Sequence, residues 1–497
     1  MLLKKFGDEW TKQNTWKSIL FFFLHFLVLV LIIAGFLFGS ELGNFANHMR
    51  EFGAGYLYAL FCIFLLNVIM YLYFFFEEQT MLASGKNITL LYTMLDLCFI
   101  ISWLIGKYID IFARPVALMA LMMYVLIGRR SAIFMNIISA LLLFVVDTFA
   151  GGMSADSAYY SSLIIAFSAG MLAIFFCGYA KTRLNVVGVG VAIVVPIDIT
   201  IFLLEISSLV DGVERAWESI FLHMGYGLFG GVMSTVIFLT ILPIYEWAFN
   251  CLTVFRLREL TSSDAKILNK LKEAAPGTYN HARMVAQLAE ACAAAIGEDV
   301  DQARAAAMYH DVGKLHCPEH FTENQGEYNL HDELTPELSA DIIRSHAKDG
   351  YTLIKANHLP DFLADIAMQH HGTLPIRYFY AKALKMTDGE LNIEDFSYMG
   401  PKPQTKLAAI IMIADASEAA VRAVDARKPE QAEKAIRAVI EERMDLEQFS
   451  ECAITMADLT KIRQALVNTL TGVYHHRVKY PSIRYKRTET GTKGENV

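Results

Sequence analysis

Eight runs of apolar residues fall within the first 250 positions: Ile19 to Phe38, Ala54 to Phe76, Ile88 to Ile105, Val116 to Ile127, Ala132 to Phe149, Tyr159 to Tyr179, Val186 to Leu204 and Ile220 to Phe249. A water-soluble domain has no interior for so many stretches of this length, whereas helices of about 20 apolar residues are what roughly 30 Å of hydrocarbon requires. The chain is therefore expected to be all-α, with a polytopic transmembrane helix bundle of about eight spans followed by an all-helical domain. Val116 to Ile127 is the shortest run, with 12 uninterrupted residues, and must extend back past Pro115 and Arg114 to cross. Losing that span alone would put the two termini on opposite sides.

Of the 497 residues 55% are hydrophobic and 19% charged, which excludes a single soluble enzyme and excludes disorder for all but the tail. Residues 1–250 hold 13 Lys/Arg and 16 Asp/Glu, while the remaining 247 hold 30 and 35. Half the chain is membrane and half is not, and neither half has the basic excess that polymer nucleic acid calls for. The seven cysteines, Cys62, Cys98, Cys177, Cys251, Cys292, Cys317 and Cys452, include no CxxC, so a disulfide framework and a thiolate metal site are both disfavoured. They fit a reducing compartment. The first apolar run is too long for a signal-peptide core and is read as a retained span.

Loop charges set the orientation. With the N-terminus inside, Lys4, Lys5, Lys12, Lys17, Lys86, Arg129, Arg130, Lys181 and Arg183 lie inside, against Arg50, Lys107, Arg114 and Arg215 outside. Nine against four favours both termini in the cytoplasm and a multi-pass protein of the cytoplasmic (inner) membrane. Within the spans, Asp96, Asp147, Asp198, Glu205, His223 and Glu246 are ionisable. Asp147, Glu205 and Glu246 sit near span ends and are read as hydrated, which leaves Asp96 and Asp198 as the stronger candidates for a ligand or proton site. Pro196 and Pro243 are expected to kink their helices.

The domains expected are a transmembrane region at 1–250, a linker helix at 251–277, a soluble domain at 278–481 and a disordered tail at 482–497. From Thr261 the pattern turns to amphipathic helices, with Ser263 ahead of DAKILNKLKEAA, Thr278 ahead of YNHARMVAQLAEACAAAI and Gly297 as a stop. Further helices are expected in TPELSADIIRSH, PDFLADIAMQHH, PQTKLAAIIMIADASEAAVRAV, PEQAEKAIRAVIEERM and ADLTKIRQALVNTLTGVYHH. Of 14 histidines, 11 lie beyond residue 250, among them His281, His310 beside Asp311, His346, and His370 beside His371; Asp415 follows in an apolar helix. Imidazole and carboxylate suit iron, manganese or zinc. Seven such ligands, with one carboxylate bridging, could hold two ions roughly 3.5 to 4 Å apart and leave room for a water and phosphate oxygens. Taken singly, His346 or Asp415 is more often a satisfied polar residue than a ligand. Their joint occurrence with HDVGK and QHHG reverses that balance.

The stretch MYHDVGK at 308–314, with TYNHARMVAQLAE upstream and SH, QHHG and IADASEAA downstream, resembles the HD-superfamily metal-dependent phosphohydrolases. LKEAAPGTYNH, HFTENQ, HDELTPELSADIIRSHAKDG, QHHGTLPIRYFYAKAL, GPKPQTKLAAIIMIADASEAAVR and TLTGVYHHRVKYP resemble, more narrowly, the seven-transmembrane-receptor HD family, the PgpH-type cyclic di-AMP phosphodiesterases. The resemblance runs from about the second span to Pro481. It implies a cytoplasmic HD phosphohydrolase domain at 278–481, with His281, His310, Asp311 and Asp415 as ligands of one ion, His346, His370 and His371 as ligands of the other, and Asp311 bridging. It also implies two divalent transition-metal ions, Mn or Fe, and cleavage of cyclic di-AMP to linear 5′-pApA by an activated water, with slower onward cleavage to AMP left open. Asp311 and Lys314 would then be catalytic, Lys314 by neutralising a non-bridging phosphate oxygen. Lys314 and Arg377 are the leading candidates for nucleotide contact, followed by Tyr378, Lys402, Gln404 and Lys406. The partners expected are cyclic di-AMP, membrane lipid and, as an open case, a second copy of the chain in a homodimer.

Two departures from the family pattern stand out. Asn280 occupies a position where many relatives have a second histidine, and only Gly39 to Gly53 separates the first two spans, where relatives place a sizeable extracytoplasmic domain. Signals would then enter through the bundle, through lipid or from a partner, and pass along a continuous segment from Tyr245 to Leu260. Cyclic di-GMP is a weaker substrate candidate, since no GYP follows the paired histidines, and alarmone hydrolysis is weaker because HDVGK is not HDxxED. The alternative in a different class is a membrane receptor or transporter whose HD domain only binds a nucleotide as a regulatory module.

Overall fold

A computed structural model describes residues 12–38, 45–150, 157–208, 216–326, 328–387, 389–424 and 429–474. The tail expected at 482–497 lies outside the described residues, as do Lys4, Lys5 and Arg215 of the loop-charge comparison. Among the described residues the chain is helical, with one isolated antiparallel bridge between Pro375 and Ser397. The all-α expectation is met. The chain forms two compact units, Met1–Arg256 and Leu257–Val497.

The first unit contains α1 (Lys12–Phe38), α2 (Phe45–Glu77), α3 (Gln79–Ala83), α4 (Gly85–Tyr108), α5 (Leu118–Leu126), α6 (Arg129–Ala150), α7 (Ser157–Cys177), α8 (Arg183–Ser208) and α9 (Ala216–Ala248). Seven of these, α1, α2, α4, α6, α7, α8 and α9, are long and apolar enough to cross a membrane. The expected fourth span is different. It consists of a 3-10 turn at Ile111–Ala113, an extended Arg114 and the nine-residue α5. The extended Arg114 follows from the proline behind it, which disfavours the helical region for the preceding residue.

Non-helical backbone at membrane depth is tolerated where protein covers it, and residues 112–123 are all buried. Two glycines make room for them. A Cβ on Gly106 would fall 2.0 Å from Arg114 Nε, and one on Gly230 would fall 2.7 Å from the Arg114 carbonyl oxygen. The Arg114 guanidinium grips Asp147 of α6 as a two-pronged pair, Nη1 donating to Oδ2 at 2.5 Å and Nη2 to Oδ1 at 2.8 Å.

Most of the other intramembrane charges are also paired. His25 Nε2 lies 2.9 Å from Asp96 and its ring stacks on Tyr92 at 4.0 Å. His223 Nδ1 lies 2.6 Å from Glu205, and Arg183 donates to Glu246 at 2.7 Å. Asp147, Glu205 and Glu246 are thus held by protein partners and not only by water, because a carboxylate in a low-dielectric bundle needs a counter-charge. Asp198 differs: its Oδ1 is buried against Gly227 without a hydrogen-bond partner.

The segment expected to run unbroken from Tyr245 to Leu260 is interrupted. α9 stops at Ala248 and α10 (Val254–Leu260) restarts after Asn250, which has φ +42°, a left-handed conformation that asparagine tolerates. Arg256 Nη1 caps the break by donating to the carbonyls of Glu246 at 3.0 Å and Cys251 at 3.3 Å.

The second unit holds α11 (Lys266–Ala274), α12 (Pro276–Ile296), α13 (Val300–Tyr309), α14 (Pro336–Ala356), α15 (Asp361–Gln369), α16 (Arg377–Leu384), α17 (Lys406–Ala423), α18 (Pro429–Asp445) and α19 (Met456–Tyr474). Residues 251–277 therefore include two short helices, α10 and α11. Ser263 does not cap α11, whose N-cap is Ala265, and Thr278 lies inside α12, bonded to Glu323 and Asn324. Gly297, with φ +80°, ends α12 as expected, and Thr335 and Thr405 cap α14 and α17 through their side chains. Residues Ala408 to Ala414 of α17 are all buried, so this helix forms the centre on which the site is assembled.

Candidate metal centre

All seven expected ligands converge. Asp311, His346, His370 and His371 bring one atom each within 4.8 Å of one another, and His281, His310 and Asp415 do the same. The residues come from five helices or their ends: His281 from α12, His310 and Asp311 from the end of α13, His346 from α14, His370 and His371 from the end of α15, and Asp415 from α17. HDVGK can turn so tightly because Gly313 lies against α14, where a Cβ would sit 1.9 Å from the His346 carbonyl oxygen.

Asp311 connects the two groups, one oxygen to each. Oδ2 lies 3.2 Å from His310 Nε2 and 3.8 Å from His281 Nε2, while Oδ1 lies 3.3 Å from His346 Nε2 and 3.6 Å from His370 Nε2. The ring orientations are fixed from behind. Nδ1 donates to a carbonyl three residues back in His310 (Ala307, 2.6 Å), His346 (Ile343, 2.5 Å) and His370 (Ala367, 2.8 Å), which turns the lone pair of Nε2 toward Asp311. His281 is held instead between Glu418 at Nδ1, 3.0 Å, and Asp415 at Nε2, 2.9 Å.

The donor set fits a pair of cations. His310 Nε2 and Asp311 Oδ1 are buried without a hydrogen-bond partner. Buried acceptors facing one another are unfavourable unless a cation lies between them. Neighbouring ligands of an ion bound at roughly 2.1 Å stand about 3.0 to 3.4 Å apart, close to the spacings around Asp311. Nitrogen and oxygen donors without sulfur suit a borderline or harder divalent ion.

Electrostatics separates the two groups. Burial opposes charge on His281, but the hydrogen bonds to Asp415 and Glu418 outweigh it and push the imidazole up to about 10. Burial pushes His346 down to about 3 and His371 well below its usual range. Burial would raise Asp311 and Asp415, yet His310 and Lys314 beside the first and His281 beside the second hold both well below the usual carboxylate range.

Lys314 Nζ lies 2.8 Å from both Asp311 Oδ2 and Glu323 Oε1, at the edge of the cluster. The other proposed nucleotide contacts have partners elsewhere. Arg377 is 62% exposed and pairs with Glu442 at 2.8 Å, Tyr378 is exposed, Lys402 donates to Ser450, the Gln404 backbone donates to Gln369, and Lys406 pairs with Asp458. Three residues not read from the sequence take part. Glu418 orients His281, Glu323 holds Lys314, and the Tyr398 ring stacks on His371 at 4.3 Å. Glu418 was within reach of sequence reasoning, since it lies one helical turn after Asp415. A cleft of about 370 Å³ opens at His370, His371 and Asp415, and α18 contributes Val439, Glu442 and Arg443 to it.

Residues 278–420 match the family described as HD domain, and residues 53–253 match the family described as 7TM receptor with intracellular HD hydrolase. The chain is 36% identical over 434 residues to the cyclic-di-AMP phosphodiesterase PgpH of Listeria monocytogenes serotype 1/2a (strain 10403S), covering 85% of this chain and 59% of that protein. It is 34% identical over 428 residues to the cyclic-di-AMP phosphodiesterase PgpH of Bacillus subtilis (strain 168), covering 84% and 59%. The chain thus spans 59% of the length of these two relatives. A crystal structure of the L. monocytogenes phosphodiesterase PgpH HD domain in complex with cyclic-di-AMP is 48% identical, covering 43% of this chain and 99% of that one, with a TM-score of 0.41. Residues 53–253 of the membrane unit thus belong to the family described as 7TM receptor with intracellular HD hydrolase, and residues 278–420, which carry the His/Asp cluster, to the HD-domain family.

Proposed function

We propose that this chain is a membrane-bound phosphodiesterase that hydrolyses cyclic di-AMP to 5′-pApA with two divalent ions, manganese or iron. The observation that carries the reading is the position of Asp311, whose two carboxylate oxygens face separate groups of histidines. The substrate is supported by the two PgpH relatives, which are named as cyclic-di-AMP phosphodiesterases. His281, His310, Asp311 and Asp415 would hold one ion, and His346, His370 and His371, together with Asp311, would hold the other.

When bound, the ions supply a polarised phosphoryl oxygen and an activated water nucleophile. The chain's own residues supply the rest. The backbone carbonyls behind His310, His346 and His370 keep their Nε2 lone pairs aimed inward, and Glu418 does the same work for His281. Lys314, kept protonated by Asp311 and Glu323, places a fixed positive charge where negative charge grows on a non-bridging phosphate oxygen. Tyr398 holds the His371 ring flat by stacking. The water oxygen bonds to phosphorus and gives up a proton, the bond from phosphorus to the 3′ oxygen breaks, and that oxygen leaves as a hydroxyl, taking up in net the proton the water lost. The product is linear, with a 5′ phosphate.

The HD unit lies on the cytoplasmic side in this reading. The region described as a seven-transmembrane receptor, 53–253, contains six of the long helices together with the buried 111–126 segment. Counting that segment as a crossing gives seven there and eight with α1, so both termini share one side.

The test is to incubate the full chain in membranes with cyclic di-AMP, cyclic di-GMP or linear pApA, with Mn²⁺ or Fe²⁺. Metal-dependent conversion of cyclic di-AMP to pApA is expected, and preferred cleavage of cyclic di-GMP would contradict the substrate.

A further inference from the structure

Arg443 lines the cleft that opens at His370, His371 and Asp415, and it is the cleft's one cationic lining residue among those described. Its side chain is 15% exposed, and its Nε is sealed from water without a hydrogen-bond partner. Nη1 pairs with Glu442, whose carboxylate also takes Arg377 at 2.8 Å. One carboxylate therefore serves two guanidiniums, so Glu442 does not neutralise Arg443 alone. Arg443 is also fixed in position. Its carbonyl accepts from the Gln448 backbone at 2.9 Å, and Gln448 accepts from the Thr373 backbone at 3.0 Å and donates to Thr373 Oγ1 at 3.0 Å. Thr373 stands two residues after His371, so the Arg443 backbone is tied to the turn that carries His371.

A cyclic dinucleotide brings two phosphodiesters, and the metal ligands need only one of them. The other carries a full negative charge into a partly dry cleft, where a rigid fork of N–H donors is the matching group. We propose that Arg443 forms a second phosphate subsite that holds the non-scissile phosphodiester, an inference that rests on the cyclic di-AMP reading above. The phosphate oxygens take the guanidinium edge that now pairs with Glu442, which is therefore the counter-ion the phosphate competes with. Arg377, placed by the sequence among the nucleotide contacts, shares Glu442 with Arg443 and so divides that carboxylate's charge between two guanidiniums.

The test compares cyclic di-AMP with bis(p-nitrophenyl) phosphate, a diester with one phosphorus, using the full chain in detergent with Mn²⁺. Arg443→Met is expected to raise KM for cyclic di-AMP about tenfold or more, the lower end of what a charge-assisted contact contributes, with kcat within about threefold. KM for the single-phosphate diester should rise by about threefold or less, and Arg443→Lys should fall in between. Glu442→Gln should lower KM for cyclic di-AMP. Equal losses on both substrates, or no loss on cyclic di-AMP, overturn the subsite while leaving the substrate reading in place. Should Arg443→Met lose all activity, Glu442→Gln decides: a lower KM supports the subsite, and an equal or higher one overturns it. A wild-type chain that does not hydrolyse cyclic di-AMP overturns the substrate reading and the subsite together.

Discussion

The Nε2 atoms of His346 and His370 face each other at 3.2 Å, and since each ring spends its Nδ1 proton on a backbone carbonyl, neither Nε2 has a proton to offer the other. Two lone pairs at this distance, with Asp311 Oδ1 beside them, repel until a cation joins them. On the two-metal reading proposed above, metal binding stabilises the packed form of this unit. Stripping metal with a chelator should lower the unfolding temperature of the full chain, and adding Mn²⁺ at a hundredfold over its dissociation constant should restore about 2.7 kcal/mol per site. An unfolding temperature indifferent to chelator would contradict this.

Acidity should act on the two ligand groups in opposite ways. His281, raised to about 10 by Asp415 and Glu418, stabilises the metal-free fold in full below its ordinary value of 6.5, and that contribution is lost as pH rises through about 10. His346, lowered to about 3 by burial, stays neutral in the fold while the unfolded chain takes up a proton, so stability falls as pH drops from 6.5 toward 3. Between them the metal-free protein should be most stable near 6.5. Metal binding at His281 must expel a proton, so in a His346→Ala variant Mn²⁺ affinity should climb by up to about tenfold per pH unit from neutrality upward. In a His310→Ala variant the climb should be far shallower, and equal slopes from metal titrations at several pH values would count against the assignment.

Glu418 touches no expected reacting atom, yet it fixes the ring of His281 from behind at 3.0 Å. Glu418→Gln should weaken metal at that ligand group about 10- to 100-fold and leave the His346, His370, His371 group near its wild-type affinity. Calorimetric titration distinguishes this from a general loss of folding, which would weaken both.

In the membrane unit, Arg114 and Asp147 are 4% and 7% exposed and satisfy each other. Arg114→Met strands a buried carboxylate and should cost about 3 to 5 kcal/mol, whereas Arg114→Met combined with Asp147→Leu should cost less than either change alone. Thermal unfolding in detergent would show it. Additive losses would mean that the two side chains are stabilised separately.

The convergence of the seven residues was legible because HDVGK, QHHG and IADAS carry five of them within short motifs, with His281 in the upstream TYNH and His346 in the intervening SH, and the helices around them have clear apolar periods. Tyr398 and Arg443 were not legible, since each comes close to the cluster from a loop or helix well removed in sequence, and only helix packing brings them there, while Glu323 lies nine residues after Lys314 with no periodicity to mark it as that lysine's partner. The segment around Pro115 was read as a span by hydropathy, yet its hydropathy could not reveal that Arg114 would extend the backbone and take Asp147 as its partner. Asn250 likewise breaks a helix that apolar periodicity alone would continue.

The most direct measurement is a Mn²⁺ titration of the full chain that follows bound metal and cyclic di-AMP turnover together, for wild type and Asp311→Ala. The bridging position of Asp311 predicts two ions per wild-type chain, turnover that appears only with the second, and a variant that loses paired binding and turnover. Full turnover at one ion per chain, or an Asp311→Ala variant that still binds two ions and cleaves, would contradict a two-metal centre built on Asp311.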